Sequence, residues 1–163
     1  MAYSFIFLTV AVGILFILLR GAPFVPTARE QVLRMVELSR VLPGEKAADI
    51  GSGDGRIAIA FAQAGAKSHG YEIKPWLVWL GRRNIKKAGL ENRASIHWKD
   101  FWSQNFSSFD IVTVYGINHI MKRLERKLRK ELKPGARVVL NSFKFPTWEP
   151  IKSQNNLHLY IKD

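Results

Sequence analysis

The chain has 163 residues, of which 47% are hydrophobic and 12% aromatic, enough for one domain with a core and little more. It contains no cysteine, which excludes disulfides, thiolate metal sites and cysteine nucleophiles. The formal net charge of +12 predicts attraction to anionic surfaces, either nucleic acid or anionic lipid, but it does not specify a fold.

The N-terminal segment from Ala2 to Leu19 carries no charged residue. As a helix it spans about 27 Å, close to the hydrocarbon thickness of a bilayer. A basic region before it and a small-residue cleavage site after it, as in a signal peptide, are both missing. We therefore expect a single transmembrane helix at residues 1–20, with residues 21–163 on the cytoplasmic side. A buried core helix is the alternative.

After the linker at residues 21–27, Thr27 is a predicted N-cap, with Glu30 completing a capping box. The helix that begins there should end before Pro43. Further helices are predicted at 56–64, 75–88 and 119–132, and strands at 46–50, 68–72, 94–98, 109–115, 137–141 and 157–161. This alternation predicts a mostly parallel sheet of about six strands with helices on both faces.

A glycine-rich turn, Asp49-Ile-Gly-Ser-Gly-Asp-Gly55, joins the first strand to the following helix. Glycines there let the backbone approach a ligand closely at a helix N-terminus. Acidic residues mark the ends of the first three strands, namely Asp49, Glu72 and Asp100. Glu72 can hold both hydroxyls of a ribose, and Asp100 can accept from an adenine amino group while Phe101 lies against the ring.

The competing interpretation of this turn is a dinucleotide site, which needs G-x-G-x-x-G. Here the spacing is G-x-G-x-G, and Arg56 occupies the position of the last glycine. Asp54 inside the loop also favours a cofactor without phosphate. A tight turn in an unrelated α/β domain is the remaining alternative.

The run from Asp49 to Arg56 resembles motif I of class I S-adenosylmethionine-dependent methyltransferases. More narrowly, the chain resembles the protein-lysine methyltransferase family whose members include the enzymes for the ATP synthase c-subunit and for the adenine nucleotide translocase, together with a crenarchaeal enzyme. The stretches that carry this narrower resemblance are Pro23-Phe-Val-Pro-Thr27, Gly70-Tyr-Glu-Ile-Lys-Pro-Trp-Leu-Val78, Asp100-Phe-Trp102, Leu124-Glu-Arg-Lys-Leu128 and Phe143-Lys-Phe-Pro-Thr-Trp148.

The resemblance implies a Rossmann-like class I methyltransferase domain that uses S-adenosyl-L-methionine to methylate lysine side chains, with no metal. For a eukaryotic chain it also implies the mitochondrial inner membrane. It implies cofactor contacts from Asp49, Gly51, Ser52, Gly53, Gly55, Glu72, Asp100 and Phe101, with Pro26 and Thr27 near the methionine end. Tyr115 and Asn118 would line the channel for the substrate amine, with Trp148 a weaker candidate. No residue is clearly a general base; His119 is a candidate, although an ordinary helix-start residue is the plainer interpretation.

The partner predictions follow from the anchor and the charge. Residues 122–133 carry seven basic and two acidic residues, a composition typical of a solvated helix face or of a surface that meets anionic lipid. We expect a monomer that acts on a membrane-protein loop. RNA methylation is the nearest alternative, although no aromatic residues are interleaved for base stacking. A non-catalytic membrane scaffold with a retained cofactor pocket is the other.

Overall fold

In the computed structural model, the described residues are 24–115 and 118–163, together with Phe7. The expected membrane helix at residues 1–20 lies outside this part of the chain apart from Phe7, as do Gly116 and Ile117. Among the described residues, no helix is long and apolar enough to cross a membrane.

The described residues form one seven-stranded sheet and four α-helices. The strands are β1 (Lys46–Ile50), β2 (Lys67–Glu72), β3 (Ala94–Trp98), β4 (Ile111–Tyr115), β5 (Arg137–Asn141), β6 (Lys152–Gln154) and β7 (Leu157–Ile161). The helices are α1 (Arg29–Ser39), α2 (Arg56–Gln63), α3 (Pro75–Lys87) and α4 (Met121–Glu131), and 3₁₀ turns lie at Phe101–Ser103 and Asn118–Ile120.

The strand order is β3-β2-β1-β4-β5-β7-β6, with β7 antiparallel to both of its neighbours and the other pairs parallel. The predicted parallel α/β sheet is therefore confirmed, with seven strands rather than about six. The strand missed is β6, a three-residue polar stretch at the sheet edge. The chain reverses its winding direction between β1 and β4, and open α/β sheets bind ligands at such a point, beyond the carboxyl ends of the strands.

Helices cover both faces of the sheet. Alternate residues of a strand point to opposite faces, so neighbouring residues of one strand pack against different helices. Val138 and Leu140 pack into the cluster that holds Leu124 and Leu128 of α4. Val139, between them, packs into the cluster formed with α1 and α2. Helix α3 packs with α2 and β3. The basic helix thus buries its leucines against the sheet.

The predicted N-cap at Thr27 is wrong. Helix α1 begins at Arg29, its N-cap position is Ala28, and no side chain caps it. Thr27 is buried, and its carbonyl accepts a hydrogen bond of 2.8 Å from Nη1 of Arg56. The residue is therefore held against the glycine-rich turn, and Glu30 pairs with Arg34 instead of completing a capping box.

Candidate cofactor-binding site

A cleft of about 560 Å³ opens beyond the carboxyl ends of β1, β2 and β4, at the point where the winding direction reverses. This volume lies within the range of small-molecule and cofactor sites. Its wall consists of residues 24–27, 49–54, 71–74 and 100–102, together with Arg56, Ile57, Leu77, Val114, Tyr115, His119 and Ile120.

The glycine-rich turn forms the floor of the cleft through an unusual backbone. Gly51, Gly53 and Gly55 all have positive φ, at 73°, 54° and 80°. A Cβ on Gly53 would lie 2.7 Å from the ring of Phe24. Gly55 does not line the cleft; its absent Cβ instead allows close approach to Gly81 on α3, 3.3 Å away. The first two glycines therefore shape the site, and the third serves helix packing.

Glu72 is fixed by backbone donors at the end of β2. Its Oε1 accepts from the amides of Ile73 and Lys74 at 2.9 Å, and its Oε2 accepts from the amide of Gly53 at 3.0 Å. The residue is only 7% exposed, yet it lines the cleft. Since an ionised carboxylate offers about four acceptor positions, one remains for a ligand hydroxyl.

Asp49 places an unsatisfied carboxylate oxygen in the cleft wall. The residue is 2% exposed, and its Oδ1 accepts from Oγ1 of Thr113 at 2.9 Å. Its Oδ2 is buried and finds no hydrogen-bond partner among the described residues. Burial raises the pKa of Asp49 to about 7; the Thr113 bond opposes the rise, and nearby Glu72 and Asp54 add to it. A buried acceptor without a partner costs free energy, so this oxygen is suited to a cationic or N–H donor from a ligand.

Asp100 and Phe101, which follow β3, also line the cleft. The Oδ1 of Asp100 accepts from the amide of Trp102 and so caps the short 3₁₀ turn that begins at Phe101. Phe101 and Trp102 lie side by side with ring centroids 4.6 Å apart. The guanidinium of Arg123 covers Trp102 at 4.0 Å from the ring centroid. Trp102 was not predicted as a site residue.

The N-terminal wall of the cleft depends on an ion pair that the sequence interpretation missed. Arg56 binds Asp54 through Nε and Nη2 and donates from Nη1 to the carbonyl of Thr27. Asp54 therefore neutralises Arg56 within the loop, and its hydrogen bond raises the pKa of that guanidinium. The pair fixes Phe24 to Thr27 over the turn, where Pro26 and Thr27 line the cleft as predicted.

The predicted amine-channel residues separate into two groups. Tyr115 lines the cleft at the end of β4, and His119 lines it too. Asn118 is exposed and is not part of the cleft wall. Its neighbours Gly116 and Ile117 lie outside the described residues.

A model of the ANTKMT methyltransferase domain matches residues 49–152, from the glycine-rich turn to the first residue of β6. The chain belongs to this family. The resemblance noted in the sequence is therefore confirmed.

Two curated relatives are lysine methyltransferases by name. The chain is 43% identical over 128 residues to the ATP synthase c-subunit lysine N-methyltransferase of Mus musculus, which covers 78% of this chain and 51% of the relative. It is 38% identical over 130 residues to a protein-lysine N-methyltransferase of Saccharolobus islandicus, covering 78% of this chain and 81% of the relative. The chain thus spans about half the length of the mouse relative.

A solved structure with the same fold is described as an RNA methyltransferase from Salinibacter ruber in complex with S-adenosyl-L-homocysteine. It is 34% identical with a TM-score of 0.79, covering 85% of this chain and 92% of that chain. The class I methyltransferase fold is therefore confirmed.

Two segments that carry the family resemblance, residues 124–128 and 143–148, pack against each other instead of lining the cleft. Trp148 is therefore not placed in the amine channel. Glu125 of α4 is buried and accepts from the amide and hydroxyl of Thr147. Trp148 stacks on Phe145 and packs against Tyr160 in the core, outside the cleft wall. In this ANTKMT-family domain, the hydrogen bonds between the two segments attach the loop after β5 to α4.

Proposed function

We propose that the chain is an S-adenosylmethionine-dependent protein-lysine N-methyltransferase. The observation that carries the proposal is the set of acidic residues at the ends of β1, β2 and β3 around one cleft. The names of the curated relatives support the same assignment.

The residues present fit the cofactor chemically. The buried, unpartnered Oδ2 of Asp49 suits the positively charged methionine part. The remaining acceptor position of Glu72 suits one of the ribose hydroxyls. Asp100 and the face of Phe101 suit the adenine amino group and ring. No phosphate has to be placed beside these three carboxylates.

When bound, the cofactor supplies an activated methyl group, so the protein has to position the acceptor nitrogen in line with it. A lysine amine has a reference pKa of about 10.4 and must lose a proton before it attacks. Removal of the amine from water lowers its pKa, and Tyr115 and Trp102 supply an aromatic surface for this at the cleft. His119 also lines the cleft and is the candidate acceptor of this proton.

We further propose that residues 1–20 anchor the domain at a membrane and that the substrate is a lysine in a membrane-protein loop. Phe24 packs over Gly53 and beside Trp76, and only residues 21–23 separate it from the proposed anchor. From Arg20 to Phe24 an extended chain reaches about 14 Å. A cleft so close to the bilayer surface meets membrane-protein loops at a raised effective concentration.

The test uses membranes from cells that lack the protein, incubated with the purified full chain and methyl-labelled cofactor. We expect label on lysines of a juxtamembrane loop, located by mass spectrometry. A Gly53→Ala variant is the negative control, because its added Cβ would lie 2.7 Å from the ring of Phe24 and so disturb the cofactor cleft. The absence of label from membrane proteins with an intact, cofactor-binding enzyme would exclude the proposed substrate.

RNA methylation is the second candidate, favoured by the description of the Salinibacter ruber structure and by the net charge of +12. Total RNA from the same cells, incubated with the same labelled cofactor, separates the two. Label in RNA that survives protease and disappears with ribonuclease would favour the RNA function over lysine methylation.

A further inference from the structure

Three of the five tryptophans in the chain form an exposed surface, which we call the tryptophan patch: Trp76, Trp79 and Trp98. Their exposed fractions are 45%, 62% and 63%. Trp76 and Trp79 are three residues apart on α3 and share one helix face. The indole N–H of Trp98 donates to the carbonyl of Ile73 at 3.0 Å, which places this ring beside the start of the same helix. Large apolar side chains grouped in this way mark an interaction surface.

The exposed face of α3 continues from tryptophan to cations. Arg83 lies over the ring of Trp79, 5.5 Å from its centroid, and Lys86 and Lys87 follow on the exposed side. The helix contains no acidic residue. Tryptophan beside lysine and arginine is the combination found where proteins meet the headgroup region of a bilayer, since the indole prefers that boundary and the cations meet lipid phosphates.

The patch also adjoins the point at which the apolar N-terminal segment joins the domain. The ring of Phe24 meets Trp76 edge to face at 5.9 Å. Leu19, the last residue of that uncharged segment, is five residues before Phe24, a reach of about 18 Å at full extension. A bilayer that holds the segment therefore lies within reach of Trp76.

We propose that the tryptophan patch, with the cations of α3, docks on the headgroup interface of the bilayer and orients the cleft relative to the membrane. This contact is made by α3, on the sheet face opposite the basic helix α4. It goes beyond the proposed methyl transfer and rests only on the proposed membrane location.

The test measures tryptophan fluorescence of the full chain in vesicles of phosphatidylcholine and phosphatidylglycerol, with and without brominated acyl chains. Residues 1–20 contain no tryptophan, so the signal comes from the domain. We expect brominated lipid to quench the wild type and Trp79→Phe/Trp98→Phe to lose most of that quenching. The matched control Trp102→Phe, on the cleft wall, should keep it. Circular dichroism and flotation with the vesicles establish that each variant is folded and attached.

Several outcomes would overturn the proposal. Quenching that is equal in the wild type and the double variant would place the patch away from lipid. Quenching of the patch by aqueous iodide in the attached protein would place it in water. Protection of the patch tryptophans from iodide that depends on protein concentration, without lipid, would indicate self-association. Protection from iodide that needs an added substrate protein would indicate a protein partner. A full chain that does not float with vesicles would refute the membrane location as well, whereas an attached but unquenched chain would refute the patch alone.

Discussion

Substitution of Asp49 by Asn tests the electrostatic basis of the site. The wild-type carboxyl has a pKa of about 7 because it is buried, with one oxygen unpartnered in the cleft wall. The ammonium group of the methionine part, which S-adenosylhomocysteine shares with the cofactor, prefers the ionised form of Asp49. Binding should therefore lower this pKa and release a proton. Cofactor affinity should therefore be highest above pH 7 and fall as the pH drops below it.

The magnitude follows from the ionised fraction of the free protein. A group with a pKa of 7 is about 90% ionised at pH 8 and about 10% at pH 6, so the dissociation constant should rise about tenfold between them. Asp49→Asn should bind more weakly at pH 8, by about 10- to 100-fold, since a hydrogen bond to a charged group contributes about 1.5–3 kcal/mol. Its affinity should no longer change across this pH range.

Isothermal titration calorimetry with S-adenosylhomocysteine at pH 6, 7 and 8, in two buffers of different ionisation enthalpy, measures both affinity and proton release. The asparagine variant controls for the histidines, whose titration it leaves intact. A wild-type dissociation constant that is flat between pH 6 and 8, or an equal slope in the variant, would refute the role assigned to Asp49.

Four further perturbations probe the cleft and the anchor. Glu72→Ala should weaken cofactor binding about 10- to 100-fold by calorimetry, because it removes a charged acceptor; unchanged binding would mean that the ribose site lies elsewhere. Gly53→Ala should abolish binding because its Cβ would lie 2.7 Å from the ring above it, whereas Gly51→Ala, with a similar φ but no atom within 4 Å of its Cβ, isolates the backbone strain. Arg56→Met should raise the dissociation constant and increase hydrogen exchange at residues 24–27, with both effects absent if the ion pair does not hold that wall. Deletion of residues 1–20 should release a folded domain that binds cofactor in the absence of detergent, and failure to fold would make the segment a core helix.

Much of the fold could be predicted from local patterns. The bounds of β1, β3, β5 and β7 agree with the predicted strands, because each is a five-residue segment with apolar residues at its core-facing positions. The polar edge strand β6 has no such pattern and depends on pairing with β7 for its existence. Sequence spacing alone could not have revealed it.

Site residues could be predicted where their position at a strand end is enough to place them. They could not be predicted where their role depends on a contact with a residue distant in sequence. Asp49, Glu72, Asp100 and Phe101 follow directly from strand ends, and the structure brings them to one cleft. Gly55, by contrast, packs against Gly81 of α3, which is distant in sequence. A motif gives the positions of such residues, but only the packing tells which of them face the ligand.

Thr27 is the most instructive error, because a local rule was satisfied in sequence and overridden by a tertiary contact. A threonine three residues before a glutamate predicts a capping box. Instead, the hydrogen bond from Arg56 to the Thr27 carbonyl holds residues 24–27 across the glycine-rich turn, where Phe24 covers Gly53. The same four residues therefore end the linker and build one wall of the cleft.

If the proposed anchor holds residues 1–20 in a bilayer, the distance from membrane to cofactor is set by this wall, because Phe24 to Thr27 cannot lengthen the tether without opening the site. An insertion at residues 21–23 would lengthen the tether while sparing the wall. It should leave cofactor affinity unchanged and lower the rate on a membrane-embedded substrate relative to a free peptide, whereas equal rates on both would indicate that the tether does not position the cleft.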